Sequence, residues 1–336
     1  MTSLPTVTAT APVTVPETKV PQASSWRKAH ESGFAPAGIF ILLALLVGLY
    51  DNSFFRMPSL MSLLEQSVPL VLLAMAQGIV VLVGRITLAN ATLASLAGIA
   101  LAQILGSLGG IAVPVVLLVT ALLGVIMGVV HVITQTPSFI VSLGFMGVFA
   151  GLALWLSGAD SVLVTDGFEN IEWLSLRLYG VPISFVVVLL VTAVLMLAMK
   201  FLPFGRRVQA IGHNERAAAF SGIRTTRIVV GVFALSGLLS GLAAVMQVSQ
   251  LQSAGATTSD SLLLPSIAAV LVGGCSIAGG VGGIGRMLLG AMVIALLRVG
   301  LDLVGIDSAY QPIFYGVIVI LAIAATVDRK RGSTVA

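Results

Sequence analysis

Apolar runs follow one another along this chain, each close to the ~20 residues that cross ~30 Å of hydrocarbon. They cover 35–50, 66–83, 88–108, 111–131, 139–158, 182–200, 228–249, 262–275, 284–304 and 310–327, with short polar stretches between them. The pattern predicts an all-α polytopic membrane protein with about ten transmembrane helices. The eighth run is too short to cross alone and predicts a broken or re-entrant helix ending at Gly273-Gly274. Such a break is tolerated only where protein shields it or where it lines a wet cavity. Residues 1–33 are rich in Thr, Pro, Ser and Val and predict a disordered cytoplasmic tail, because Met1 to Thr18 has neither the charged start nor the apolar core of a signal peptide. A transmembrane domain over 34–328 and a short basic cytoplasmic tail over 329–336 complete the organisation.

Composition agrees: 58% of residues are hydrophobic and 9% charged, and the mean hydropathy is +1.10. That excludes a soluble enzyme, a disordered regulator and a disulfide scaffold. The lone Cys275 cannot form an intrachain disulfide and reads as a packing residue. Charge placement says more than the net +4. With ten spans and both termini inside, every Lys and Arg except Arg56, Arg177 and Arg298 falls on the inner side, while Asp51, Glu65, Asp160, Asp166, Glu169, Glu172, Asp260 and Asp307 face outward. The positive-inside rule therefore favours cytoplasmic termini. No basic stripe interleaves with aromatics, so nucleic acid is not an expected partner.

Chemistry-bearing motifs are sparse. None of the four lysines, Lys19, Lys28, Lys200 and Lys330, follows a glycine, so there is no phosphate loop and ATP hydrolysis would have to come from a partner. Gly280-Val281-Gly282-Gly283-Ile284-Gly285 matches G-x-G-x-x-G, but its membrane flanks make it a flexible turn between spans rather than a dinucleotide site. His30, His131 and His213 share no metal-ligand spacing, and no catalytic cluster, cofactor or metal site is expected. Arg298 and Asp302 stand four apart on one helix and read as a structural ion pair near the outer interface, with a pathway role as the alternative. Gly124-x-x-x-Gly128, Gly147-x-x-x-Gly151 and Gly237-x-x-x-Gly241 read as helix-packing positions. Gln77, Arg85, Thr87 and Asn90 form a polar stretch where the second run ends: either the interfacial ends of two helices or an interruption lining a cavity.

The loop from Gly205 to Ile223 is more specific. Asn214 suits an N-cap, Glu215 suits the positive end of a helix dipole, and Gly222 suits the left-handed position after the last turn. The expectation is a helix of about two turns, roughly 12 Å long, outside the membrane. Such a helix either merely solvates a basic loop or gives a motor protein a rigid handle.

Gly205 to Arg227 resembles the cytoplasmic coupling segment of ribose-type permeases of bacterial ABC importers, which read G-[RN]-x-x-x-A-[IL]-G-x-N-x-x-A-A-x-x-S-G-I. Val270-Leu271-Val272-Gly273-Gly274-Cys275-Ser276-Ile277-Ala278-Gly279-Gly280-Val281-Gly282 is similar to that family's V-[LV]-G-G-x-S-[LI]-x-G-G-x-G stretch, and Leu301 to Gln311 fits its continuation. The likeness runs from about residue 38 to 331. It departs from the family at Gly84-Arg85-Ile86-Thr87-Leu88-Ala89-Asn90-Ala91, where G-G-I-D-L-S-V-G is usual: Thr87 replaces the acidic residue and Arg85 adds a cation.

The resemblance implies a multi-pass permease subunit of the bacterial inner membrane, carrying a monosaccharide or related polyol. Its implied partners are cytoplasmic ATPase subunits, a periplasmic solute-binding protein and a second permease subunit, identical or different. It implies a coupling helix shaped by Gly212, Asn214, Glu215, Ala218, Gly222 and Ile223, and a translocation path near Gln77, Arg85, Thr87 and Asn90. The altered stretch leaves open a permease for branched-chain amino acids or another small solute. An ATP-independent secondary carrier is the alternative from a different class.

Overall fold

The computed structural model describes residues 34–51 and 54–326; the tails expected over 1–33 and 329–336 lie outside the described residues. The helices are α1 (Phe34–Tyr50), α2 (Met57–Leu82), α3 (Asn90–Leu108), α4 (Ala112–Thr134), α5 (Ser138–Ser157), the single turn α6 (Glu169–Glu172), α7 (Ile183–Phe201), α8 (Pro203–His213), α9 (Glu215–Phe220), α10 (Thr225–Leu251), α11 (Leu263–Val272), α12 (Ile284–Leu303) and α13 (Gln311–Thr326). Strand is confined, among the described residues, to two antiparallel two-residue ladders. In these, β1 (Val162–Leu163) pairs with β4 (Ser253–Ala254), and β2 (Arg177–Leu178) with β3 (Val181–Pro182).

The chain is an all-α polytopic membrane protein. Among the described residues, six helical stretches are long and apolar enough to cross a bilayer, and one of them, Asn90–Thr134, holds both α3 and α4. Those two are parted at Gly109, whose φ of 55° only glycine adopts readily. Pro36–Tyr50, Asp260–Val272 and Gln311–Ile323 are shorter apolar helices. As expected for the eighth run, α11 stops after ten residues at Gly273-Gly274. The largest boundary error is α2, which starts at Met57 rather than near 66 because Pro58 opens its first turn and Glu65 sits at its partly exposed edge.

Packing follows the logic of a lipid solvent. The least hydropathic of the long spans, α2, is 83% buried over its apolar window, whereas the most hydropathic stretch, Asn90–Thr134, is 28% buried. In lipid, apolar side chains gain nothing by leaving the hydrocarbon, so small and polar residues turn inward and the greasiest faces turn out. Long α10 packs along α2, α3 and α4, while α12 packs on α1, α2 and α11. Two of the glycine pairs make the α4–α10 crossing. A Cβ on Gly124 would collide with the Phe233 carbonyl oxygen, and one on Gly237 with that of Thr120. The third pair does not pack within the chain: Gly147 and Gly151 have open space where a Cβ would lie.

Pro69 inside α2 cannot donate to the Glu65 carbonyl four residues back. Gln250 of α10 takes its place, its Nε2 donating to that oxygen at 2.9 Å. The Glu65 carboxylate accepts two bonds from Arg177, at 2.9 and 3.2 Å. That hydrogen bond raises the Arg177 pKa, so the guanidinium stays charged. Asp302 is held by Gln311, whose Nε2 donates at 2.6 Å, in place of the expected Arg298. The reason is reach: α13 starts just beyond α12 and brings Gln311 beside the carboxylate.

Candidate functional site

The α2–α3 connection is an interruption. Helix α2 ends in a Schellman motif: Gly84 sits at φ 70°, its N–H bonds to Val81 O at 2.9 Å, and the Arg85 N–H reaches back to Val80 O at 3.2 Å. The chain then runs non-helically from Arg85 to Ala89 before α3 begins. Two backbone donors of this stretch are satisfied by α5, where Ile86 N–H bonds to Ser138 Oγ and Leu88 N–H to Ser142 Oγ, both at 3.1 Å. Alternate residues of an extended chain lie ~6.7 Å apart and residues one helical turn apart ~6 Å, so an i, i+2 segment matches an i, i+4 pair of hydroxyls. Unpaired backbone donors inside a bilayer would each cost several kcal/mol, roughly. The two serines make the break tolerable.

Three of the four expected path residues converge there. Gln77 of α2, Thr87 of the break and Asn90 at the start of α3 are all buried. Asn90 Nδ2 donates to Gln77 Oε1 at 3.3 Å, and Asn90 Oδ1 accepts from Ser236 Oγ of α10 at 3.0 Å. Ser236 Oγ also lies 2.9 Å from Ala76 O, so its single proton serves one acceptor at a time. Thr87 Oγ1 accepts from the Ala89 N–H at 3.3 Å. Among the described residues Gln77 Nε2 and Ser240 Oγ are buried with no hydrogen-bond partner. A buried donor left unmade costs about 1–3 kcal/mol, so the cluster has polar capacity to spare.

Arg85 leaves this group. Its Nη2 lies 2.7 Å from Glu215 Oε2 on α9, and its Nε donates to His131 Nε2 at 2.9 Å at the end of α4. The other ring nitrogen, Nδ1, lies 2.8 Å from Thr136 O, which fits a neutral imidazole that donates there and accepts from Arg85. The cation added by this sequence thus ties the break to the loop between α7 and α10.

That loop is two helices, not one. The anticipated short helix is α9, over Glu215–Phe220, and Asn214 caps it by accepting from the Ala217 N–H at 3.0 Å. It closes with a second Schellman motif, in which Gly222 has φ 81°, its N–H bonds to Ala219 O, and Ile223 N–H bonds to Ala218 O at 3.1 Å. Ala218 is buried. At six residues α9 is about 9 Å long, shorter than expected. The preceding α8 was missed, although Pro203 at its start and the i, i+3 pair Val208 and Ile211, both buried, were available as signals.

Gly212 of α8 sits where a Cβ would collide with Leu82 O and the Gly280 nitrogen. The Gly280 N–H donates to Leu82 O at 3.0 Å. A Cβ on Gly279 would lie 2.6 Å from Gly84 N and 3.0 Å from Gly212 O. Three glycine segments therefore touch backbone to backbone: the end of α2, the end of α8 and the loop after α11. This corrects the reading of Gly280–Gly285 as a flexible turn, since Gly279 and Gly280 are buried in that junction.

The family described as branched-chain amino acid transport system / permease component matches residues 59–323. The chain belongs to this family. It is 33% identical to the ribose import permease protein of Haemophilus influenzae, over 85% of this chain and 90% of that protein. It is also 33% identical to the ribose import permease protein of Bacillus subtilis, over 88% and 92%. With the D-allose transport system permease protein of Escherichia coli it shares 28% identity over 85% and 90%. The resemblance to ribose-type ABC permeases drawn from the coupling segment and the Gly273–Gly282 stretch is borne out over most of the chain.

Proposed function

We propose that this chain is the transmembrane permease subunit of a bacterial ABC importer for a monosaccharide or related polyol. In this reading it lies in the inner membrane with the end bearing α8 and α9 in the cytoplasm, and it has no ATPase site of its own. Separate ATPase subunits dock on α8 and α9, a solute-binding protein delivers at the opposite end, and a second permease subunit completes the path. The observation that carries the reading is the Arg85–Glu215 contact at 2.7 Å, which ties the coupling helix to the membrane-embedded break.

The mechanism follows from that contact. Alternating access needs a movement at one end to become a rearrangement around the solute. A push on α9 reaches Arg85 through Glu215, and a push on α8 reaches Leu82 and Gly84 through the Gly212 junction. Both act on the segment that carries Thr87 and Asn90. The polar cluster there offers amides and hydroxyls and no carboxylate, and the spare donors at Gln77 and Ser240 suit a neutral, hydroxyl-rich solute. The relatives named for ribose and D-allose carry solutes of that class.

The test is affinity purification of the tagged chain from native membranes in mild detergent, with mass-spectrometric identification of whatever stays bound. An ATPase with a phosphate-loop motif is the expected companion. Recovery of this chain alone, repeated under crosslinking, would contradict the ATP-driven reading.

A further inference from the structure

At the end of the bundle bearing α8 and α9, a cleft of about 940 Å³ opens between the last turns of α7, the start of α8 and the first turn of α12. Three cations line it, Lys200, Arg206 and Arg286, and among the described residues no Asp or Glu does. Lys200 lies in the last turn of α7 and Arg286 in the first turn of α12, so both stand where membrane-crossing helices leave the hydrocarbon. One turn deeper on α7, Met196 is 47% and Leu197 55% exposed, which on a spanning helix means contact with acyl chains. Gly283, which precedes α12, has open space where a Cβ would lie. The first N–H groups of a 20-residue helix add a partial positive charge there. The cleft is therefore apolar at its membrane side and cationic at its rim.

We propose that this cleft binds one anionic phospholipid of the leaflet facing α8 and α9. Its phosphate sits between Lys200 and Arg206, and its acyl chains run along Met196 and Leu197. Charge complementarity selects the headgroup: a zwitterionic lipid brings its own cation to a rim that already carries cations, while a phosphatidylglycerol brings only the anion. Depth selects a lipid over free phosphate, because the same cleft continues into exposed apolar side chains that an inorganic ion cannot use. Lys200 belongs to α7 and Arg206 to α8, so a lipid held between them would steady the α8–α9 segment against the bundle.

The test is native mass spectrometry of the full chain, delipidated in detergent and titrated with dioleoyl-phosphatidylglycerol, dioleoyl-phosphatidylcholine or inorganic phosphate. One phosphatidylglycerol per chain should be retained, with phosphatidylcholine and phosphate retained far less. The Lys200→Gln/Arg206→Gln variant should weaken retention about 30-fold, at about 1 kcal/mol per cation near a lipid headgroup. Lys200→Arg/Arg206→Lys, which keeps both charges, should retain the lipid, as should Arg224→Gln/Arg227→Gln on the same end. Equal retention of the two phospholipids would overturn the proposal, and so would wild-type retention by the Gln variant. A dimer that binds no lipid, with the cleft closed by its second copy, would also overturn it. Wild-type melting of each variant guards against misfolding as the cause.

Discussion

The glycines of the α4–α10 crossing and of the α8–α9 segment carry two different constraints. Gly124 and Gly237 leave no room, since their Cβ atoms would meet backbone carbonyls that cannot move aside. Gly124→Ala should therefore cost about 1–3 kcal/mol in overpacking, read as a lower melting temperature in detergent, while Gly151→Ala, in open space, should leave it unchanged. Gly222 has space but a φ of 81°. Gly222→Val should place a β-branched residue in the left-handed region, at a cost of at least about 1–2 kcal/mol, and distort the end of α9. The predicted outcome is normal membrane insertion with lost uptake; normal uptake would remove α9 from the coupling role. Sequence alone brought out Asn214 and Gly222, because caps act within a few residues. It could not reveal what Arg85 does, since its partners Glu215 and His131 are 130 and 46 positions away.

Elements were legible where a rule acts along the chain and obscure where it acts across it. Apolar length located the spans, and Gly273-Gly274 foretold the short α11. The nature of the α2–α3 connection was left open between two readings, because the hydroxyls that make an interruption affordable sit on α5, at Ser138 and Ser142. Ser138→Ala/Ser142→Ala should strip both donors of their partners and destabilise the protein by about 2–6 kcal/mol in total, at about 1–3 kcal/mol for each. Thermal unfolding in detergent measures that loss, and an unchanged transition would mean that the break finds other acceptors. Helix α8 went unseen because only two apolar side chains, Val208 and Ile211, mark its buried face, and its closest contact runs through Gly212, whose neighbours Leu82 and Gly280 lie far along the chain.

Across the whole molecule, the break in α2–α3, the break after α11 and the α8–α9 segment meet at one end of the bundle. Each break ends its helix with a glycine in the left-handed region, Gly84 in one and Gly274 in the other. Glycine also makes the contact between segments at Gly212 and Gly279, so motion can pass through backbone without the slack of long side chains. The ion pair that links these segments is Arg85–Glu215, whose side chains are 23% and 42% exposed. At that exposure the pair contributes no more than about 1 kcal/mol to stability. Its worth in this account is mechanical. The direct measurement is uptake by the assembled transporter with Arg85→Glu, Glu215→Arg and the double exchange, scoring ATPase co-purification in parallel. Each single variant should lose uptake while keeping its ATPase, and the double exchange should recover above both. Wild-type uptake in the single variants, or a double exchange no better than the worse single with the ATPase still bound, would contradict the coupling of α9 to the break.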